Sequence, residues 1–257
     1  RDGNLIESYE FVNTGNETAE LHGIAVNTPF NDNYPDARTC INARCNAHIW
    51  AGGNDSYVYC TRMSGVPGGL GLVLQEGSVN GYEVCGRSEK TGGSNFRGVI
   101  RLEPEDRTLQ PGESYTVQWL ILPAVNWDDF HEKAIENGLV VASADRYAAE
   151  KGEAVTVSFR SSRPLLKGRL LLNGEEVAEV SGDNIYYTTA FDEPGEYVFT
   201  LSYDDGRHTS VECLCVSSFD SIIDHRCRFI ADRQQFFRPG DPRNGAFIVY
   251  DNDTDSQ

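Results

Sequence analysis

The chain has 257 residues, of which 39% are hydrophobic and 24% charged, enough apolar material for one large sandwich or two ordinary domains. Its 22 Lys and Arg against 39 Asp and Glu give a formal net charge of −17, which repels phosphate backbones, so nucleic acid is not an expected partner. No apolar run approaches the roughly 18 residues of a membrane span, so membrane insertion is not expected either.

The first half of the chain has the pattern of an antiparallel β-sandwich. Residues 6–12 and 19–26 alternate around the turn Asn13–Asn16, which predicts a β-hairpin. Turns rich in Gly and Pro separate the further predicted strands, which are residues 55–63, 69–75, 81–84, 97–102 and 114–122. The regular spacing predicts a large antiparallel sandwich.

A short helix is predicted over 126–137, with Asn126 or Asp128 as its N-cap and Gly138 at its end. Three apolar residues on this helix are expected to dock on the sandwich: Trp127, Phe130 and Ile135.

A second series of short strands predicts an immunoglobulin-like sandwich. Its turns include Asn173-Gly174, a signature of a two-residue hairpin loop. The predicted strands are 155–159, 169–172, 176–180, 185–190, 196–203 and 208–216. The predicted domains are therefore 1–138, 139–216 and a lead-in segment, 217–257.

The lead-in segment has a different pattern from the strands before it. Residues 220–231 have helical apolar spacing, 237–242 form a predicted loop, and 246–250 are extended before a polar end. We expect this segment to begin another domain of a longer protein.

Seven cysteines make an odd set, so at least one thiol has no partner within the chain. Neither the pair Cys40 and Cys45 nor the pair Cys213 and Cys215 has a second pair at zinc-site spacing. The sequence therefore predicts buried free thiols with room for one bridge, no metal site and no cofactor.

Polar and aromatic residues concentrate in two stretches, 27–38 and 48–57. Amides and carboxylates can bind adjacent sugar hydroxyls, and aromatic faces can stack under a sugar ring. Asn and Asp also build turns, so these stretches are alternatively loop architecture. The candidate carbohydrate-binding residues are Asn31, Asp32, Asn33, Tyr34, Asp36, His48, Trp50 and Tyr57.

Catalytic residues are not assigned by the sequence. Asp32 and Asp36 could form an acid/base pair only if their carboxyl groups lay about 5 to 9.5 Å apart across a sugar, which spacing within one turn does not establish. His48 could position a sugar, act as an acid, or be structural. Oxygen ligands in 31–33 with Asp36 could alternatively hold a hard cation.

Five segments resemble the N-terminal region of a bacterial family of unknown function that is similar to six-hairpin glycosidases; they are residues 21–24, 28–36, 45–53, 71–77 and 109–115. The resemblance implies a galactose-mutarotase-like β-supersandwich and an immunoglobulin-like domain in front of an (α/α)6 barrel that houses catalysis. Residues 229–235 and 245–252 resemble the lead-in to that barrel. The resemblance also implies that the loops of residues 31–57 lean over the barrel's cleft.

The expected function is the N-terminal part of a carbohydrate-active enzyme, a glycoside hydrolase of polysaccharide or oligosaccharide, inactive without its (α/α)6 barrel. Its expected partners are carbohydrate and its own C-terminal helical domain. The alternatives are a free-standing carbohydrate-binding or adhesion module, with Tyr34, Trp50 and Tyr57 as stacking platform, and a structural spacer. An extracytoplasmic location is expected, and the odd cysteine count leaves a cytoplasmic one open.

Overall fold

The computed structural model describes residues 3–31, 36–84, 99–163 and 167–247. It is mostly β-strand, in several antiparallel sheets, which confirms the predicted all-β sandwich class. The strands are β1 Leu5–Val12, β2 Ala19–Leu21, β3 Val26–Asn31, β4 Cys45–Trp50, β5 Tyr57–Arg62, β6 Gly69–Glu76, β7 Val79–Val84, β8 Val99–Pro104, β9 Arg107–Leu109, β10 Ser114–Ala124, β11 Val141–Ala144, β12 Ala148–Glu150, β13 Ala154–Arg160, β14 Lys167–Leu172, β15 Glu175–Ser181, β16 Asn184–Ala190, β17 Gly195–Tyr203 and β18 His208–Val216.

Helices are few in the described part of the chain, and none of them is long and apolar enough to cross a membrane. They are α1 Ala37–Ala43, α2 Trp127–Glu136 and α3 Phe219–Phe229, which continues into a π-helical turn, Ile230–Gln234.

The first half of the chain forms a five-stranded antiparallel sheet in the order β1-β10-β6-β5-β4, a three-stranded sheet β3-β8-β7 and the pair β2-β9. Alternate residues of β5, β6 and β10 point to one face, where they pack with residues of β7 and β8, because successive side chains of a strand point to opposite faces. This core consists of Val58, Cys60, Leu72, Leu74, Val79, Ile100, Leu102, Val117 and Trp119.

The predicted hairpin between residues 6–12 and 19–26 is wrong. β1 pairs along its whole length with β10, and β2 pairs with β9 instead. The Asn13 amide donates to the Leu109 carbonyl at 2.9 Å, which ties the turn to a distant strand. The sequence correctly shows two strands around a turn, but their partners are set by burial of Tyr9 and Phe11 against the sheet core.

The other face of the large sheet is covered by α2, as predicted. The Asn126 side chain caps the helix by accepting a hydrogen bond from the Asp129 backbone N–H at 2.9 Å. A Cβ atom on Gly71 would lie 2.3 Å from the Phe130 ring, so glycine permits the close approach of the helix. The buried residues of this layer are Tyr57, Tyr59, Val73, Leu120, Leu122, Ala124, Phe130, Ala134, Ile135, Leu139 and Val141.

The second half of the chain contributes two further sheets, β11-β13-β16 and β12-β18-β17-β14-β15. β14 and β15 are antiparallel neighbours joined through Asn173-Gly174, with φ of 50° and 87°. These left-handed values are those that a two-residue hairpin loop requires, which confirms the predicted turn.

The chain divides into two compact units. The first comprises residues 1–145, 156–188 and 197–212, and the second comprises 146–155, 189–196 and 213–257. This division follows packing, and the domain boundaries 1–138, 139–216 and 217–257 stay a prediction.

In the first unit, the buried carboxylate of Asp55 joins three separate segments of the chain. Its side chain is 1% exposed. One carboxylate oxygen accepts the Val140 backbone N–H at 2.8 Å, and the other accepts the Tyr203 hydroxyl at 2.7 Å. The Arg163 guanidinium lies 3.6 Å from the carboxylate. Burial raises the pKa of Asp55, and the N–H, the hydroxyl and the guanidinium oppose that rise.

The neighbouring residue Asn54 holds the same segment against β18. Its backbone N–H donates to the His208 carbonyl, and its side-chain oxygen accepts the His208 N–H, both at 3.0 Å. Gly53, at φ 95°, lies so close that a Cβ there would be 2.6 Å from the His208 ring. The segment that leads into β5 is therefore held against the start of β18.

The second unit contains β12, the end of β18 and α3. β12 runs parallel to β18, with Ala148 opposite Leu214. Ser218 caps α3, and the Phe219 N–H donates to the Glu150 carboxylate at 2.7 Å. The helix confirms the one predicted over 220–231, but it has no buried residue. Large apolar residues exposed in this unit are Tyr147, Leu214, Phe219, Ile222, Ile223, Phe229, Phe237 and Phe247.

Substituting Asp55→Ala should lower the free energy of unfolding by about 3 kcal/mol or more, because Val140, Tyr203 and Arg163 would each lose a buried partner. Urea unfolding followed by circular dichroism measures the change. The matched control is Asp205→Ala, which breaks an exposed pair with Arg207 and should cost less than about 1 kcal/mol. Equal effects of the two variants would contradict the structural role of Asp55.

Candidate carbohydrate-binding surface

Three of the predicted residues lie on one face of the large sheet because of the register between β4 and β5. Trp50 is opposite Tyr57, and His48 is opposite Tyr59. Opposed residues of an antiparallel pair point to the same face, and this is the face that carries α2. The Trp50 and Tyr57 rings stack at 5.9 Å between centroids.

The first turns of α2 add two rings that the sequence did not single out for binding. The Trp127 ring lies 5.1 Å from that of His48, 4.8 Å from that of Tyr59 and 5.3 Å from that of His131, each measured between centroids. Trp127 is 37% exposed, and His48 is exposed. We call His48, Trp50, Trp127 and His131 the aromatic platform.

Tyr57 supports this platform from beneath. It is 5% exposed, and its ring also contacts Phe130 at 5.2 Å and His131 at 5.9 Å. Its ring therefore holds Trp50 in place and does not offer an open face. Trp50 itself is half-buried.

The charges around the platform are mostly paired. The Asp129 carboxylate accepts the Val125 N–H at 2.7 Å and lies 2.9 Å from the Lys133 ammonium. Glu132 pairs with Arg160 at 2.6 Å. Asp128 is exposed, and the structure shows no ion pair for it among the described residues. The open surface beside Trp127 therefore carries a carboxylate.

The surroundings of His131 shift its pKa. Burial lowers its pKa, and the Arg160 guanidinium lowers it further, while the Asp128 and Glu132 carboxylates oppose the change. Its Nε2 atom is buried and meets no hydrogen-bond partner in the described part of the chain. These surroundings therefore favour the neutral form of the imidazole.

No contact among the described residues joins the remaining candidate residues to the aromatic platform. Asn31 is the last residue of β3, opposite Val99 on β8. Asp32, Asn33 and Tyr34 lie outside the described residues, so their predicted roles stay predictions.

Asp36 is the N-cap of α1. Its carboxylate accepts the Thr39 backbone N–H at 2.8 Å and the Thr39 hydroxyl at 2.7 Å, and these bonds hold its pKa below the usual range. Asp36 therefore stabilises the start of α1. Its pairing with Asp32 as acid and base stays a prediction.

The stretch 48–57 combines two environments. His48 and Trp50 are part of the surface, whereas Asn54 and Asp55 are engaged in internal hydrogen bonds. His48 and Trp50 lie in β4, whereas Asn54 and Asp55 lie in the segment between β4 and β5, where they bond to His208 and Val140. These distant partners are not evident from the spacing of residues in the sequence.

Metal ligands do not cluster in the described ranges: no group of three or more His, Cys, Asp or Glu side chains is placed to hold an ion. The buried Cys60 thiol hydrogen-bonds with Cys45, and this bond together with burial raises the pKa of Cys60. The cation-site alternative at 31–36 falls largely outside the described residues.

The chain is similar over its whole length to a solved structure of a polysaccharide lyase, with 40% sequence identity and a TM-score of 0.83. It spans 38% of that chain's length. No family model and no curated protein matches the chain, so the resemblance to six-hairpin glycosidases is not confirmed.

The lowered pKa of His131 makes the stability of the fold depend on pH. The folded pKa lies below the usual histidine value of 6.5, so the unfolded chain takes up more protons as the pH falls below that value. The unfolding free energy should therefore fall as the pH drops from about 6.5 through the folded pKa. His131→Leu should flatten this dependence.

Urea unfolding at a series of pH values between neutral and mildly acidic tests the role of His131. Phe130→Leu is the control, because it changes the adjacent ring without removing a titrating group and should lower stability equally at each pH. A His131→Leu variant with the same pH slope as the parent would show that burial of His131 does not set the slope.

Proposed function

We propose that this chain is the β-sandwich portion of a carbohydrate-active enzyme that acts on polysaccharide, and that this enzyme is a polysaccharide lyase. The observation that carries the proposal is the likeness of the whole chain to a solved polysaccharide lyase at 40% identity. The aromatic platform supports it, because an exposed indole flanked by polar groups is suited to sugar stacking.

Catalysis in this proposal belongs to a further part of the protein. The chain accounts for 38% of the length of the lyase that it matches. The exposed apolar side chains of α3, among them Ile222 and Ile223, supply a surface on which a helical domain of the same protein could pack. An (α/α)6 barrel is the domain implied by the sequence resemblance.

Hydrolysis is the second candidate chemistry, favoured by the resemblance of residues 21–24, 28–36 and 45–53 to glycosidase-like proteins. The two chemistries differ in their products. A lyase removes the proton next to a uronate carboxylate and expels the linked sugar, leaving a carbon–carbon double bond, whereas a hydrolase adds water and leaves none.

A free-standing carbohydrate-binding module is the alternative from another class. The exposed Trp127 favours it, since binding alone needs only the platform. For either function we propose an extracytoplasmic location, where polysaccharide substrates are found.

The products formed by the full-length protein test the proposal. Incubated with uronate-containing polysaccharides, the full protein should generate the ultraviolet absorbance of an unsaturated sugar, and the 257-residue chain alone should generate none. New reducing ends without that absorbance would favour hydrolysis. Turnover by the 257-residue chain alone would contradict the placement of catalysis elsewhere.

A full-length protein that binds glycans and cleaves none of them would leave the binding module as the function.

Ile222→Asp tests the α3 surface: it should reduce activity of the full protein while the isolated chain keeps its unfolding midpoint. Exposed Val66→Asp, in a loop of the first unit, is the control and should leave the activity unchanged.

A further inference from the structure

The aromatic platform has an exposed ring at Trp127, and the neighbouring Asp128 carboxylate is exposed, with no ion pair among the described residues. Trp127 is held by contacts with the rings of His48, Tyr59 and His131, yet 37% of it remains exposed. A ring that is already fixed loses little conformational freedom when a ligand stacks on it. The exposed face is therefore prepared for a flat apolar surface, such as the C–H face of a pyranose.

An exposed carboxylate near this ring bears on the class of sugar. Asp128 is exposed and lies three residues before His131 on α2, so it is on the same side of the helix as the His131 ring, which contacts Trp127. A carboxylate can accept hydrogen bonds from neighbouring sugar hydroxyls. It would repel the carboxylate of a uronate, because like charges near each other in a partly exposed site disfavour binding.

Two cations near Asp128 in the described part of the chain are paired with other carboxylates. Lys133 is engaged by Asp129 at 2.9 Å, and Arg160 is engaged by Glu132 at 2.6 Å. The chain as a whole carries a net charge of −17, which adds to the repulsion of anionic sugars.

We propose that Trp127, His48 and Asp128 form a subsite for a neutral pyranose. The indole stacks on the sugar ring, the Asp128 carboxylate accepts from ring hydroxyls, and the exposed imidazole of His48 supplies a further polar contact. The inference rests on the proposed function in one respect: the neutral sugar is taken to be part of the polysaccharide that the enzyme cleaves. That polysaccharide would then contain neutral sugars besides the uronate at which it is cleaved.

Calorimetric titration of the 257-residue chain tests the subsite. The probes are neutral gluco-, galacto-, manno- and xylo-oligosaccharides and an oligogalacturonate of equal length. At least one neutral probe should bind more tightly than the oligogalacturonate, and Trp127→Ala should weaken that binding at least tenfold. Failure of every neutral probe to bind, or tighter binding of the oligogalacturonate, overturns the proposal.

Charge reversal at Asp128 keeps the test independent of the packing of Trp127. Asp128→Lys should weaken the neutral probe several-fold and strengthen oligogalacturonate binding. The matched control is Asp220→Lys, at the equivalent first-turn position of α3, which should alter neither. Equal responses of the two variants would show that Asp128 does not select the sugar.

The two proposals can fail separately. An unsaturated product from the full protein together with no neutral-sugar binding removes the subsite and leaves the lyase. Neutral-sugar binding that depends on Trp127, without cleavage by the full protein, removes the lyase and leaves the subsite.

Discussion

The buried carboxylate of Asp55 is the interaction on which the arrangement of the first unit depends. It binds the Val140 N–H just after α2 and the Tyr203 hydroxyl at the end of β17, close to the Arg163 guanidinium. A buried charge is tolerated only where such partners surround it, so three distant segments must meet at this point. Because Val140 follows α2, the carboxylate also fixes the end of the helix whose other end carries Trp127.

Much of the fold could be predicted from local signals, because strands reveal themselves by alternation and turns by residues that adopt positive φ. The Asn126 cap of α2 and the Asn173-Gly174 turn are of this kind. Strand partners are not local: β1 pairs with β10, about a hundred residues away in sequence. The edge strand β4 has no counterpart among the predicted strands, since its half-buried side chains give a weak apolar pattern.

The sequence indicates which kinds of residue make up the candidate site, but it does not indicate which particular residues lie together at the surface. His48 and Trp50 belong to the aromatic platform, as their chemistry indicates, while Asp55 in the same stretch is internal. Trp127 was expected only to dock on the sandwich, yet it contacts the sheet and also remains partly exposed. Exposure of one face of the Trp127 ring depends on how α2 packs against the sheet, and the spacing of residues in the sequence does not determine that packing.

The platform and the Asp55 network are linked through α2. The proposed sugar-binding surface therefore keeps a fixed shape only if the hydrogen bonds of Asp55 form one cooperative network. A double-mutant cycle of Asp55→Ala and Tyr203→Phe, measured by urea unfolding, tests this most directly. The account predicts a coupling energy of about 1–3 kcal/mol, as for residues in one hydrogen-bond network. Effects that add to within about 0.5 kcal/mol would contradict it.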